Sequence, residues 1–275
     1  MSYENRVSEH YTHGSLLESI EAAVIELGKT ADTVTIEDLA PVDEFHIGGR
    51  LATDNLLNQL NFSTDDHILD VGCGLGGACR YVANKLNNCV TGIDLTHEYI
   101  DVGNVLSAWV GLDNQVALQQ GSALCMPFED ETFDGAIMLH VGMNIDDKVK
   151  LFAETYRVLR PGASFGVYDI MQIKNGELTY PVPWATEIST SMLNTPDQYK
   201  KALNQAGFKT SKENIRSGFA LDFFKQVRAK AQSAGGTPSV GLHILMQDST
   251  AVKINNMIDN VQAGLIAPVE VLARK

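Results

Sequence analysis

The sequence predicts an α/β protein built on a doubly wound, mostly parallel sheet with helices on both faces. Three observations predict it. From residue 67 short apolar runs alternate with segments of helical periodicity, which is the pattern of β-α-β units. A glycine-rich turn, Gly72-Cys73-Gly74-Leu75-Gly76-Gly77, joins the first run to the first helix. Two runs close on aspartate, Asp70 and Asp94, where a ligand-binding strand end would place a carboxylate.

Taken in order, Ser15-Leu16-Leu17-Glu18 reads as a capping box, followed by Ile20, Val24 and Leu27 at helical spacing and a stop at Gly28. After a polar stretch and Phe45–Arg50, the residues Leu51, Leu56, Leu57 and Leu60 suggest a second helix. His67–Val71 reads as a buried strand, Gly76–Leu86 as a helix, Cys89–Asp94 as a strand and Thr96–Gly111 as a helix. Val116–Gln119 and Phe133–Leu139 are strands. Asp147–Leu159 is a helix with Val149, Phe152, Tyr156 and Leu159 on one face, halted by Pro161-Gly162, and Ala163–Ile170 is again a strand. Two prolines keep Tyr180–Trp184 out of regular structure. Thr195-Pro196-Asp197-Gln198 is a helix start with an N-cap, a proline at N1 and a Gln at N3, and Gly207 ends that helix. Strands near Phe208–Ile215 and Ile266–Ala273 then bracket helical patterns over Ala220–Ser233 and Thr250–Val261, separated by a Gly-Gly-Thr-Pro turn.

Composition narrows the function. The 275 residues are 44% apolar and 20% charged, as in an ordinary globular enzyme. No apolar run approaches the roughly 18 residues that a membrane span needs, and the N-terminus lacks a signal-peptide pattern, so a cytoplasmic protein is expected. A net charge of −13 with no basic cluster disfavours nucleic-acid partners. Cys73, Cys79, Cys89 and Cys125 form no CxxC pair and have no His at ligand spacing; they are expected to be reduced core thiols, with no metal site.

The glycine turn alone is shared by several nucleoside-binding proteins, because its glycines let the backbone approach a ligand at a helix N-terminus. Asp70 biases the choice. A carboxylate there would repel a pyrophosphate but can help place an ammonium, and S-adenosylmethionine carries an ammonium, a sulfonium and no phosphate. Asp94, closing the next strand, is placed to accept ribose hydroxyls, as it would for NAD. Gly121-Ser122-Ala123 follows the third strand, where Ser122 and Ala123 could read an adenine edge. Pro127–Asp134 and Tyr156-Arg157-Val158-Leu159-Arg160-Pro161-Gly162 lead into the fourth and fifth strands.

Over residues 67–170 these blocks resemble the class I methyltransferases, a seven-stranded, Rossmann-like variant of the doubly wound fold. The resemblance implies S-adenosyl-L-methionine bound across strands one to four, touching Asp70, Gly72, Gly74, Asp94, Leu95, Ser122, Ala123 and Leu139. The flanks Tyr11-Thr12-His13-Gly14, Phe45-His46-Ile47-Gly48-Gly49 and Leu139–Ile145 resemble the small-molecule branch, which includes the ubiquinone-type, sarcosine-dimethylglycine and phosphoethanolamine methyltransferases. That resemblance implies that Ile47 and Gly48 touch the donor's methionine end, and that Tyr11 and His140 close over the donor methyl as catalytic or positioning groups. His46 and His243 are expected to be structural or substrate-lining.

Residues 1–62 are expected to form an N-terminal helical cap, and residues 63–275 the main domain with helical lid insertions about 171–195 and 217–265. Tyr180, Trp184, Met192, Phe219, Phe223, Phe224 and Met246 either line an acceptor site or form the insertions' own core, the second being expected for most. The expected function is methyl transfer to a small molecule by a monomer or homodimer. The acceptor is an amine of the sarcosine type or a carbon or oxygen of a quinone, polyketide or other secondary metabolite. An NAD-linked oxidoreductase and a non-catalytic binding protein are the alternatives of other classes.

Overall fold

A computed structural model describes residues 3–233 and 238–275; the Gly235-Gly236-Thr237 part of the expected turn lies outside the described residues. The sheet contains β1 (His67–Val71), β2 (Cys89–Asp94), β3 (Val116–Gln120), β4 (Phe133–Leu139), β5 (Leu159–Gln172), β6 (Lys209–Ile215) and β7 (Ile266–Arg274). Their order is β3-β2-β1-β4-β5-β7-β6. Neighbours from β3 to β5 are parallel, and β7 runs antiparallel to both β5 and β6. The order reverses between β1 and β4, so their carboxyl ends open the crevice where such sheets take ligands.

Alternation along the strands builds two cores. Leu69 and Val71 face α7 (Lys148–Val158) and α8 (Pro196–Ala206) in one cluster with Phe152, Phe165 and Tyr199. Ile68, Ile137 and Tyr168 face the other way, into a cluster with α4 (Gly49–Leu57), α5 (Gly77–Leu86) and α6 (His97–Trp109). The N-terminal helices α1 (Tyr3–Tyr11), α2 (Leu16–Glu26) and α3 (Ile36–Asp43) lie beyond α6, with Leu16, Ile20 and Leu39 packed against Tyr99 and Leu106. A fourth cluster joins Ile47, Val182 and Trp184 to α9 (Ser217–Ser233) and α11 (Thr250–Gln262) through Phe224 and Met257.

Several local expectations change. The Ser15 side chain makes no cap bond, and the amides of His13 and Leu16 on either side of it donate to Glu98 on α6. The helix-start box at Thr195 forms as read, with the Thr195 hydroxyl and Gln198 side chain each accepting the other's amide. A second box, Thr35 with Asp38, opens α3, a helix the periodicity did not reveal. α1 is the N-terminal helix that carries Tyr11, and none of its residues is fully buried. Cys73 and Cys79 are buried, but Cys89 and Cys125 are exposed, so only two of the four thiols belong to the core. No helix among the described residues is long and apolar enough to cross a membrane.

One buried ion pair ties α3 to the sheet-covering helices α5 and α6. Arg80 on α5 is fully buried and donates to Asp43 on α3 at 2.6 Å, and to Gly103 O and Ser107 Oγ on α6 at 3.0 Å. Burial raises the Asp43 pKa against the opposing pull of Arg80. There is no room between the two elements: a Cβ on Gly77 would stand 2.4 Å from Asp43 O. Replacing Asp43 by Leu strands the guanidinium and is expected to cost about 3–5 kcal/mol in urea unfolding. The double variant Asp43→Leu/Arg80→Met should recover most of that loss, and equal losses in single and double variants would contradict this role for the pair.

Candidate active site

The carboxyl ends of β1, β2 and β4 converge on a cavity of about 530 Å³, closed over by α1. The glycine turn is anchored first to β2, with the amides of Gly72 and Cys73 donating to Ile93 O at 2.8 and 3.0 Å. Its second anchor is Asp94, which accepts from Gly74 N and Thr96 N, both at 2.9 Å. Asp94 is thus part of the turn's own scaffold before any ligand enters. Asp70 is 2% exposed, and among the described residues its carboxyl accepts a hydrogen bond from Cys79 Sγ at 3.2 Å. Burial, with Asp94 and Glu44 nearby, pushes its pKa up to about 7.

The segment after β4 forms the opposite wall. His140 takes φ +56, a left-handed conformation that turns the chain sharply off the strand, while its amide donates to Tyr168 O. Its ring lies 6.0 Å from His46 and 5.2 Å from Tyr168, and its buried Nε2 has no hydrogen-bond partner among the described residues. Burial holds the imidazole neutral, well below its usual pKa, and His46 adds to the effect. The following 3-10 turn, Gly142–Asn144, rests on Asp169, which is fully buried and accepts from Tyr199 Oη at 2.7 Å. Lys148 fixes the far end of this loop through the carbonyls of Ile145 and Met192.

Asn144 links three segments. Its Oδ1 accepts from Tyr11 Oη at 3.0 Å and its Nδ2 donates to Trp184 O at 3.0 Å. Further side-chain bonds hold α1 down, from Tyr3 to Thr190 O, His10 to Pro183 O, and Ser122 to Glu4. The Tyr11 ring packs on Phe45 and Tyr99, and burial raises its pKa, so it is a neutral donor.

The cavity therefore brings together nine of the expected residues: Tyr11, Asp70, Gly72, Gly74, Asp94, Leu95, Ala123, Leu139 and His140. Three others stand off its wall. Ile47 packs with Met143 and Trp184 in the fourth core cluster, Gly48 is the left-handed N-cap of α4 against Phe219, and the Ser122 hydroxyl is turned to Glu4. In place of Ile47 and Gly48, Phe45 and His46 reach the cavity. Of the seven apolar residues weighed as acceptor-lining, only Met192 does so. Residue types alone gave no notice of Asn144, Asp169 or the buried Glu44, which stands 3.4 Å from His46 Nε2 and accepts from Thr53 Oγ1 at 3.0 Å. Each gains its place through strand and helix pairings distant in sequence.

Asp70 supplies a test by titration. Its folded pKa lies above the unfolded value, so the folded state binds the proton more tightly and stability falls as pH rises from about 4 to about 7. Without ligand, Asp70→Asn should unfold at higher urea than the parent at pH 8, by an amount on the order of a few kcal/mol, and converge with it near pH 4. A variant less stable than the parent at pH 8 would refute this account of the buried carboxyl.

Residues 69–167 match the family described as methyltransferase domain. Methyltransferase phqN of Penicillium fellutanum is 33% identical over 114 residues, 42% of this chain and 35% of that protein. The chain aligns with about a third or less of the length of the first curated relatives it matches. Geranyl diphosphate C-methyltransferase from Streptomyces coelicolor superposes with a TM-score of 0.71 at 16% identity, over 100% of this chain and 98% of that one. A candidate sarcosine dimethylglycine methyltransferase from Galdieria sulphuraria gives 0.67 at 18% identity, over 87% and 94%. The matched methyltransferase domain spans β1 to β5, and the seven-stranded sheet completed around it has the fold of these solved methyltransferases.

Proposed function

We propose that this protein transfers a methyl group from S-adenosyl-L-methionine to a small-molecule acceptor enclosed beneath α1, with an amine as the first reading of the acceptor. The observation that carries it is the one cavity lined by the glycine turn, Asp94 and His140, whose Nε2 is unpartnered among the described residues. The residues fit the donor. Asp94, already oriented by Gly74 and Thr96, keeps lone pairs for the ribose hydroxyls. Leu95 and Ala123 would flank the adenine, and Asp70 would meet the cationic methionine end, regaining its charge as a cation approaches. When bound, the donor supplies an activated sulfonium methyl group that needs alignment more than covalent help.

The protein's own work is then positional. Tyr11, through Asn144, keeps α1 closed, so that water is excluded and the acceptor is held in line. His140, neutral and lacking a partner at Nε2, can take the proton the acceptor sheds. We read residues 1–62 as a cap and the segments 171–195 and 217–265 as lids on the main domain, because the side-chain bonds of Tyr3, Glu4, His10 and Tyr11 end outside the sheet. A cytoplasmic monomer or homodimer accords with this reading.

Thermal unfolding distinguishes the donor from a dinucleotide. S-adenosylhomocysteine at 100 times its Kd should stabilise the protein by about 2.7 kcal/mol, and NADH should leave it unchanged. Stabilisation by NADH alone would reject the proposal. With an accepted substrate, His140→Ala should lower kcat by about 10²-fold or more while leaving S-adenosylhomocysteine affinity within a few-fold. Unchanged turnover would remove His140 as the proton acceptor.

A further inference from the structure

The charge on the cavity wall is one-sided. Glu4, Asp43, Asp70, Asp94, Asp146 and Asp147 all line it, and no Lys or Arg does so among the described residues. Basic groups close to the site do not line it, and the mostly buried Lys253 lies toward His10 and His13. Arg80 lies behind Asp43 in the buried ion pair, Lys148 is committed to the carbonyls of Ile145 and Met192, and Arg6 is exposed over the outer face of Tyr3. The two histidines on the wall, His46 and His140, are both kept neutral by burial.

The remainder of the wall is aromatic and aliphatic. Tyr3, Tyr11, Phe45 and Tyr99 offer ring surface, and Met143, Met192 and Leu245 add apolar bulk. Ring faces attract cations and apolar bulk favours hydrocarbon, whereas neither can compensate a desolvated anion. Arg80 offsets Asp43, and the donor brings one net positive charge, so the loaded cavity keeps a surplus of negative charge.

We infer that the acceptor is an apolar amine, a basic nitrogen within hydrocarbon or aromatic bulk, and that it carries no carboxylate or phosphate. This rests on the methyl-transfer reading of the same cavity and narrows it. Sarcosine, dimethylglycine and phosphoethanolamine each bring a further anionic group, beyond the donor's own carboxylate, for which this wall holds no cation. The carboxylates concentrate the protonated amine at the site. Once it is deprotonated, the nitrogen lone pair forms the new C–N bond as the methyl–sulfur bond breaks with its electron pair going to sulfur. A proton still on the product nitrogen passes to His140 Nε2 or to water at the mouth.

A matched pair of probes tests the class. N-methylphenethylamine and N-methylphenylalanine share one skeleton and differ by a carboxylate. With full-length protein saturated by S-adenosylhomocysteine, calorimetry should show the amine binding at least tenfold tighter than the amino acid. Phosphoethanolamine should show no binding at millimolar concentration. Placing a cation at the exposed mouth, in Asp146→Lys, should shift the amine-to-amino-acid affinity ratio at least tenfold toward the amino acid, with the urea midpoint confirming that the variant is folded. Equal or tighter binding of either anionic probe, binding of no probe, or an unmoved ratio in the folded variant would overturn the inference. Failure to bind S-adenosylhomocysteine at all would instead overturn the methyl-transfer reading, so the two failures are separable.

Discussion

Everything at the site depends on the close approach of two loops at the point where the strand order reverses. A Cβ on Gly72 would stand 2.4 Å from the Val141 side chain, so the glycine turn after β1 and the segment after β4 are in van der Waals contact. Gly72 also takes φ +75, which a side chain would strain. That contact sets the distance between the glycine turn and His140. Any larger residue would have to push the two walls apart.

Each wall is held in place by polar groups that bond to its backbone or pack beneath it. Asp94 pins the glycine turn to β2 by accepting two backbone amides. Asp169 and Tyr199 form the bed of the post-β4 turn, and a Cβ on Gly142 would meet Tyr199 Oη at 2.3 Å and Asp169 Oδ2 at 2.4 Å. Buried polar groups satisfied in this way allow one arrangement of the loops they hold, because leaving any member unpaired is costly. The roof is different in kind. α1 has no fully buried residue, and side-chain hydrogen bonds from Tyr3, His10 and Tyr11 hold it over the cavity.

Burial also sets the electrostatics of the cavity. It raises the pKa values of Asp70, Asp94 and Asp43 and lowers those of His46 and His140, all in the direction that removes charge. A cavity that disfavours its own charges to this degree gains from a cationic visitor, which restores the carboxylates at lower cost. The same logic makes an anion unwelcome, and it connects the acidic composition of the chain to the chemistry of one site.

The sequence by itself determined the parallel sheet, its strands within a few residues, the glycine turn and the two aspartates that flank it. These are local properties: apolar period, turn chemistry and strand ends are written over consecutive residues. His140 was legible for the same reason, since a strand end in a parallel sheet is a place known before the fold is complete. Tertiary structure alone decided the rest. It moved the wall contact from Ile47 and Gly48 to Phe45 and His46, turned Ser122 toward Glu4, replaced the Ser15 cap by Glu98, and assembled Tyr11, Asn144 and Trp184 into one latch. Those outcomes depend on which distant elements come into contact, and a hydroxyl or carboxylate takes the partner that packing brings nearest rather than the one nearest in sequence.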